Sequence, residues 1–462
     1  MTAVSPDSDL LEAAFERAAA ARAVGGNKLT LLVDGPAAYP AMIGLIEQAT
    51  ERIRFENYII SSDATGVRFA EALMERARAG VQVSVLSDWL GSSATRRRYW
   101  RLLREAGVEV RHFHPPNPLR LFDNLSRDHR KLVVADGRRA VIGGLCIGDA
   151  WCGNPAEDRL PWRDTAVMVE GPAAGLLEQA FNDTWHEAGG AVVGRVDAEV
   201  FEPGASRVRV LRGLPGRERT IRVLELLATM CRERLWITDA YMLPPYRLLQ
   251  ALLDAAKSGV DIRLLVPGSS DLPWIRNLTR IGYRTMLRAG IRIYEWDGPM
   301  LHAKTLVADG RWCRIGSSNL NPSSLMGNYE LDVMTDDREL AGALEAQFRR
   351  DLSQSREVVR VPGRGPRELA AVMPSRLLRE APELAASHHR RARGEGRRRA
   401  VLTLRSIAGG ARRSIYGPLS LVLVALGILF WALPRISATV AALVCAWLAV
   451  AAFLEALDRR RA

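Results

Sequence analysis

The sequence predicts an α/β protein: two pseudo-twofold-related α/β sandwich halves with a central mixed sheet each, followed by a C-terminal hydrophobic helical hairpin. Three observations carry this reading. Stretches of strand period alternate with stretches of helix period over residues 29–352. The same order of stretches then recurs once, displaced by 173–183 residues. Near the end, two stretches without a single charge lie back to back.

Residues 1–28 read as an N-terminal extension in which Leu10–Ala21, rich in alanine and bearing both charges, forms a short surface helix. The first half, 29–200, opens on the apolar strand Leu29–Val33. Tyr39–Ala49 has helical spacing, Ile53–Ile60 alternates as a strand, and Phe69–Ala79 is helical up to Gly80. Val81–Leu86 is a strand, Tyr99–Ala106 a helix stopped by Gly107, and Val108–Val110 a strand. A glycine just past each helix is the expected stop. The second half, 201–352, repeats the order with a helix over Ile221–Cys231, a strand over Leu235–Thr238 and a helix over Leu248–Ser258 before Gly259. Ala77–Leu86 (ARAGVQVSVL) matches Ala256–Leu265 (AKSGVDIRLL), and Glu105–Val110 (EAGVEV) matches Arg288–Ile293 (RAGIRI).

Residues 353–413 read as a basic linker: prolines and glycines first, then an arginine run over His388–Arg413 in which Glu395 is the one acid. Tyr416–Leu433 and Ile436–Leu454 carry no charge and are separated by Pro434-Arg435. Each narrowly reaches membrane-spanning length, so residues 414–457 are expected to form a transmembrane hairpin. Arg412-Arg413 and Arg459–Arg461 flank it, so both ends, and with them the part of the chain before it, are expected on the cytoplasmic side of the membrane. The arginine run would then face anionic headgroups.

A net charge of +12 and a pI near 9.9 imply acidic partners, either nucleic acid or an anionic membrane surface. The five cysteines are odd in number and, Cys146 and Cys152 aside, far apart. They give neither a disulfide framework nor a zinc spacing. No signal peptide is expected.

The chemistry resides in a repeated motif. His129-Arg130-Lys131 is followed after four residues by Asp136, and His302-Ala303-Lys304 after four by Asp309. Each copy continues to a glycine pair or Gly-Ser: Gly143-Gly144-Leu145-Cys146 and Gly316-Ser317-Ser318-Asn319. In an extended chain residues i and i+2 share a face, so each copy offers an imidazole beside an ammonium group at a strand's start. The chain has four lysines among its 64 basic residues, and two of them occupy these matched sites. A compact point charge suits a tight phosphate pocket better than arginine's wide fork. Two such units brought together suit a phosphodiester, with one imidazole to attack phosphorus and the other to protonate the departing alcohol, and no metal or other cofactor is implied. Each half also carries a later carboxylate, Asp164 and Glu330, expected to fix a histidine's tautomer and orientation. Asp136 and Asp309 stand beside Gly137 and Gly310 in hairpin-forming pairs and are read, with Gly143 and Gly316, as structural parts of the motif.

The doubled His-x-Lys-x4-Asp pattern with its Gly-Ser/Gly-x-Asn continuation resembles the phospholipase D superfamily. The stretches HRKLVVADGRRAVIGG, PWRDTAVMVEGP and GSSNLNPSSLMGNYELDV are most similar to bacterial cardiolipin synthases, over roughly Leu29–Leu352. The first copy departs at its last position, where Cys146 stands in place of Asn. The resemblance implies a phosphatidyltransferase that joins two phosphatidylglycerols into cardiolipin plus glycerol through a phosphohistidine. His129 is preferred as nucleophile, and Lys131, Lys304, Asn319 and Ser317 are expected on the phosphate. It implies an anionic phospholipid and a membrane as partners; nucleic acid is not expected. A hydrolytic phospholipase D, or a phosphodiesterase or nuclease of the same superfamily, are the alternatives.

Overall fold

The computed structural model describes residues 6–116, 125–154, 157–191, 201–360 and 369–372. Its strands and helices are numbered in chain order. At the centre β1 (Ala23–Val33) and β8 (Ser206–Gly213) run antiparallel to one another. Outward from β1 lie β7 (Thr165–Glu170), β6 (Arg139–Gly143), β5 (Lys131–Ala135), β2 (Arg52–Asn57), β3 (Gln82–Asp88) and β4 (Glu109–Phe113). Outward from β8 the equivalent strands follow in the same order: β14 (Glu330–Thr335), β13 (Trp312–Gly316), β12 (Thr305–Ala308), β9 (Arg234–Thr238), β10 (Asp261–Pro267) and β11 (Arg292–Trp296).

The expectation of one central sheet per half is corrected here: the described strands form a single 16-stranded mixed sheet. The cause is β1, which pairs with β7 along one edge and β8 along the other. An open edge in each half would leave a row of unpaired backbone groups; the β1/β8 seam removes both. The linker expected to begin at 353 is also corrected in its first part. Ser353 still belongs to a helix, and β15 (Ser355–Arg360) and β16 (Leu369–Val372) extend the sheet beyond β11. The rest of that linker and the hairpin at 414–457 lie outside the described residues. Among the described residues no helix is long and apolar enough to cross a membrane.

Helices cover the sheet where its apolar side chains point. In the first half α2 (Asp34–Glu47), α3 (Ala64–Arg78), α4 (Arg97–Glu105) and α5 (Asp149–Cys152) pack Tyr39, Phe69, Trp100 and Trp151 over Phe55 and Val133. In the second, α7 (Arg219–Met230), α8 (Tyr246–Lys257) and α9 (Pro273–Arg288) pack over Leu235, Ile262 and Ile293. A third core joins the halves: Leu177 and Phe181 of α6 (Pro172–Glu187) and Leu344 of α10 (Arg338–Ser353) meet Val134, Val167, Val307 and Ile315. The N-terminal helix α1 (Pro6–Ala19) is more than a surface helix. Its Phe15 is fully buried, 4.9 Å from the Trp312 ring, and the Arg209 guanidinium lies over it. One aromatic among alanines and charges is too weak a periodic signal to reveal that burial.

The two motif aspartates build the fold. Asp136 and Asp309 adopt positive φ, as do Gly137 and Gly310 after them, and so close the β5–β6 and β12–β13 hairpins. Each carboxylate accepts backbone N–H groups from the neighbouring strand's start, at Thr50, Glu51 and Arg52 or at Arg232, Glu233 and Arg234. Burial alone would raise their proton affinity; these donors hold it below the usual carboxylate range.

Candidate active site

The parallel strands β2, β3 and β4 all end at one edge of the sheet, and β5, antiparallel to β2, begins there with Lys131 opposite Asn57. The second half is built alike, with Thr305 opposite Thr238. Each histidine therefore sits in the extended run just before its strand. Gly143 and Gly316 end β6 and β13 at the same edge, and both are glycines for want of space. A Cβ on Gly143 would lie 2.4 Å from the Thr165 carbonyl oxygen, and one on Gly316 would lie 2.2 Å from Asp332 Oδ1.

The halves interlock at this edge. His129 N–H donates to the Tyr329 carbonyl (2.9 Å) and Tyr329 N–H to the Arg127 carbonyl (2.9 Å). His302 N–H donates to the Arg163 carbonyl (2.7 Å) and Arg163 N–H to the Met300 carbonyl (2.9 Å). The segments carrying Asp164 and Glu330 are thereby laid against the histidine of the opposite half. The side chains complete a crossed arrangement. His129 Nδ1 lies 3.0 and 3.1 Å from the Glu330 oxygens, and His302 Nδ1 lies 2.7 Å from Asp164 Oδ2. A carboxylate at Nδ1 fixes the proton there and leaves Nε2 of each ring for chemistry.

Both carboxylates are held as anions. Burial by itself would raise them; His302 and Lys304, with the Thr165 N–H, bring Asp164 below the usual range. His129, Lys131 and the Ser317 hydroxyl do the same for Glu330. Burial pushes the His129 imidazole down to about 4 against the pull of Glu330, with Lys131 and Lys304 adding to the push. His302 is lowered by burial and by Lys304, opposed by Asp164. Burial, with Lys131 nearby, pushes Lys304 down to about 8 despite Asp164. The two halves feel each other here: Lys304 helps to lower His129, and Lys131 helps to lower His302.

The remaining expected residues divide. Asn319 is buried; its N–H donates to Ser324 Oγ (2.9 Å), and its Oδ1 has no hydrogen-bond partner among the described residues. Ser317, expected on the phosphate, instead donates its hydroxyl to Glu330 Oε2 at 2.5 Å, joined by Ser324 on Oε1. It supports the dyad from behind. Cys146 is fully buried, its thiol pushed up by burial and its carbonyl accepting the Tyr39 hydroxyl (2.5 Å).

Several residues that line the site do not stand out in the motif. Tyr58 directly follows β2, and Tyr241 stands three residues past the end of β9. The Lys131 ammonium lies 5.1 Å from the Tyr58 ring and Lys304 5.9 Å from the Tyr241 ring, and each ring meets its half's histidine edge-on. A tyrosine within three residues of the end of the equivalent strand in each half is the signal that could have found them. Trp151 and Trp162 flank His302, and Trp151 Nε1 donates to Asp164 Oδ2 (3.1 Å). Arg163, next to Asp164, is buried; it pairs with Asp351 at 2.8 Å and Asp34 at 3.3 Å and fixes the turn on which Asp164 stands.

A family described as cardiolipin synthase, phospholipase D-like domain, matches residues 42–185 and 225–352. The chain is 31% identical to cardiolipin synthase A of Pseudomonas entomophila (strain L48) over 78% of its own length and 75% of that protein's. It is 32% identical to cardiolipin synthase A of Pseudomonas aeruginosa (strain LESB58) over 72% and 69%. Among solved structures, phosphatidylserine synthase of Haemophilus influenzae Rd KW20 shares the fold, with a TM-score of 0.60, 16% identity, and coverage of 85% of this chain and 99% of that one. With its paired motifs meeting at one edge, the chain belongs to the cardiolipin synthase family of phospholipase D-like enzymes.

Proposed function

We propose that the protein joins two phosphatidylglycerol molecules into cardiolipin and glycerol through a phosphohistidine. The observation that carries the proposal is the crossed pair of dyads: each Nδ1 is held by the opposite half's carboxylate, and two lysines lie beside the rings. In the first step Nε2 of one neutral imidazole attacks phosphorus. A P–N bond forms, the P–O bond to glycerol breaks, and the other imidazolium gives its proton to the departing oxygen. In the second step that imidazole takes the proton of the acceptor phosphatidylglycerol's hydroxyl. The acceptor oxygen bonds to phosphorus and the P–N bond breaks. His129 is our nucleophile and His302 our acid and base, and Lys131, Lys304 and Asn319 face the equatorial oxygens. The substrate's negative charge offsets the two ammonium groups, so binding raises imidazole proton affinity when an acid is needed.

We place the enzyme at the bacterial inner membrane with its catalytic part facing the cytoplasm, on the strength of the positive charges flanking the uncharged stretches within 414–457. The test is product analysis with the purified chain and phosphatidylglycerol vesicles, with and without EDTA. Glycerol and a diphosphatidyl product in equal amounts, unchanged by EDTA, are expected. Phosphatidic acid alone would make the protein a hydrolase, and cleavage of plasmid DNA without lipid turnover a nuclease.

A further inference from the structure

The described residues expose eleven large apolar side chains, and six of them crowd onto one edge of the sheet: Leu90, Leu125, Leu160, Leu243, Tyr246 and Met326. Backbone direction places them there. Leu90 follows the end of β3, Leu125 precedes β5, Leu160 lies between β6 and β7, Leu243 and Tyr246 follow β9, and Met326 lies between β13 and β14. These are the strand ends that carry the two histidines. Two of the six are tied to the site by hydrogen bonds. Leu90 N–H donates to Asp88, whose other oxygen takes the N–H of Asp128 beside His129. Leu243 N–H donates to the carbonyl of Leu320, next to Asn319. The Met326 carbonyl accepts Gly216 N–H.

Exposed arginines share the edge. Arg96 closes the connection that holds Leu90; Arg97 and Arg98 open α4; and Arg217 follows Gly216, which is bonded to Met326. Apolar side chains with arginines beside them, at the strand ends that carry the histidines, match the layered chemistry of a lipid surface, acyl chains inside and anionic phosphates outside. We propose that this collar is a docking surface for an anionic phospholipid bilayer, seating the two-histidine cleft directly on the plane from which its substrate is drawn. The choice of a bilayer as occupant rests on the phosphatidyl transfer proposed above.

The full chain carrying Leu125→Ser, Leu160→Ser and Tyr246→Ser, side chains 73%, 64% and 75% exposed, tests the collar with two substrates. On phosphatidylglycerol vesicles turnover should fall at least tenfold; on dihexanoyl phosphatidylglycerol kept below its micelle concentration it should stay within twofold of the unmodified chain. That second substrate also certifies the fold. Replacing Arg96, Arg97 and Arg98 by Gln should weaken turnover on anionic vesicles and flatten its salt dependence. Unchanged vesicle turnover in the collar variant would overturn the proposal, as would an equal loss on both substrates, which would make the collar part of the cleft. A dimer that the variant dissociates without loss of vesicle turnover would assign the surface to a second copy. If the unmodified chain turns over neither lipid, it is the proposed function that fails.

Discussion

Replacing Asp164 by asparagine probes the crossed dyads with the least change in shape. Asp164 Oδ2 lies 2.7 Å from His302 Nδ1, while Oδ1 accepts the Thr165 N–H at 2.8 Å. Asparagine keeps the volume but removes the anion that balances an imidazolium, and it can present an N–H where the ring needs an acceptor. Unit charges about 4 Å apart at an effective dielectric near 20 interact by about 4 kcal/mol. That is about three decades in rate at 1.36 kcal/mol per decade. If His302 protonates the departing glycerol, the loss should largely vanish when phosphatidyl-p-nitrophenol is the donor, because that leaving group departs without a proton. Glu330→Gln acts on His129, the proposed nucleophile, and should lose a comparable amount with both donors. The assay pairs glycerol release with the p-nitrophenol absorbance burst. A loss under tenfold for Asp164→Asn with phosphatidylglycerol would refute the dyad. The same loss with both donors in both variants would refute the division of roles.

Gly144→Ser would set a Cβ 2.1 Å from Asp164 Oδ1. We expect turnover to fall by about two decades, about 2.7 kcal/mol of transition-state stabilisation, with the unfolding midpoint little moved. Arg163→Met leaves buried Asp351 without its 2.8 Å partner and should cost about 3–5 kcal/mol in urea unfolding; a loss below about 1 kcal/mol would show that the pair is not needed. Lys304, pushed down to about 8, loses its charge as pH rises through that value. The rate constant kcat/KM should therefore decline above about pH 8, and the decline should be absent from the pH profile of Lys304→Arg, whose guanidinium stays charged throughout.

Much of the site was legible because the chain states it twice. The His-x-Lys spacing, the Asp-Gly hairpins and the glycines at the strand ends are local features, and the structure sets both copies at corresponding positions of one sheet. What escaped was non-local. Nothing in the order of the chain says that Glu330 serves His129 and Asp164 serves His302, because the crossing depends on how the two halves lie against each other. The merging of two sheets into one depends in the same way on both edges of β1 being paired. The bond from Ser317 to Glu330 was not legible either, because a hydroxyl in a phosphate motif points to the phosphate in sequence terms, whereas the buried Glu330 beside it takes the proton. Arg163 was passed over as one arginine among many, although its burial sets it apart.

The differences between the halves bear on why two copies are needed. Asp164 and Glu330 stand at equivalent places before or at the start of β7 and β14, one methylene apart in length. The residue facing each acid differs too. Beside Asp164 stands Gly144, where a Cβ would collide with the carboxylate; beside Glu330 stands Ser317, whose hydroxyl donates to it. Acid and neighbour are matched within each half, so exchanging one alone spoils the fit. The rings are surrounded differently as well, His129 by Tyr58 and His302 by Trp151, Trp162 and Tyr241. A site with perfect twofold symmetry would give both imidazoles the same proton affinity, yet attack on phosphorus needs a neutral ring while departure of an alcohol needs a protonated one. On the proposed mechanism, duplication would supply two histidines at one phosphorus. Divergence at Gly144, Asp164 and the aromatic walls would then supply the inequality that the two opposite parts require.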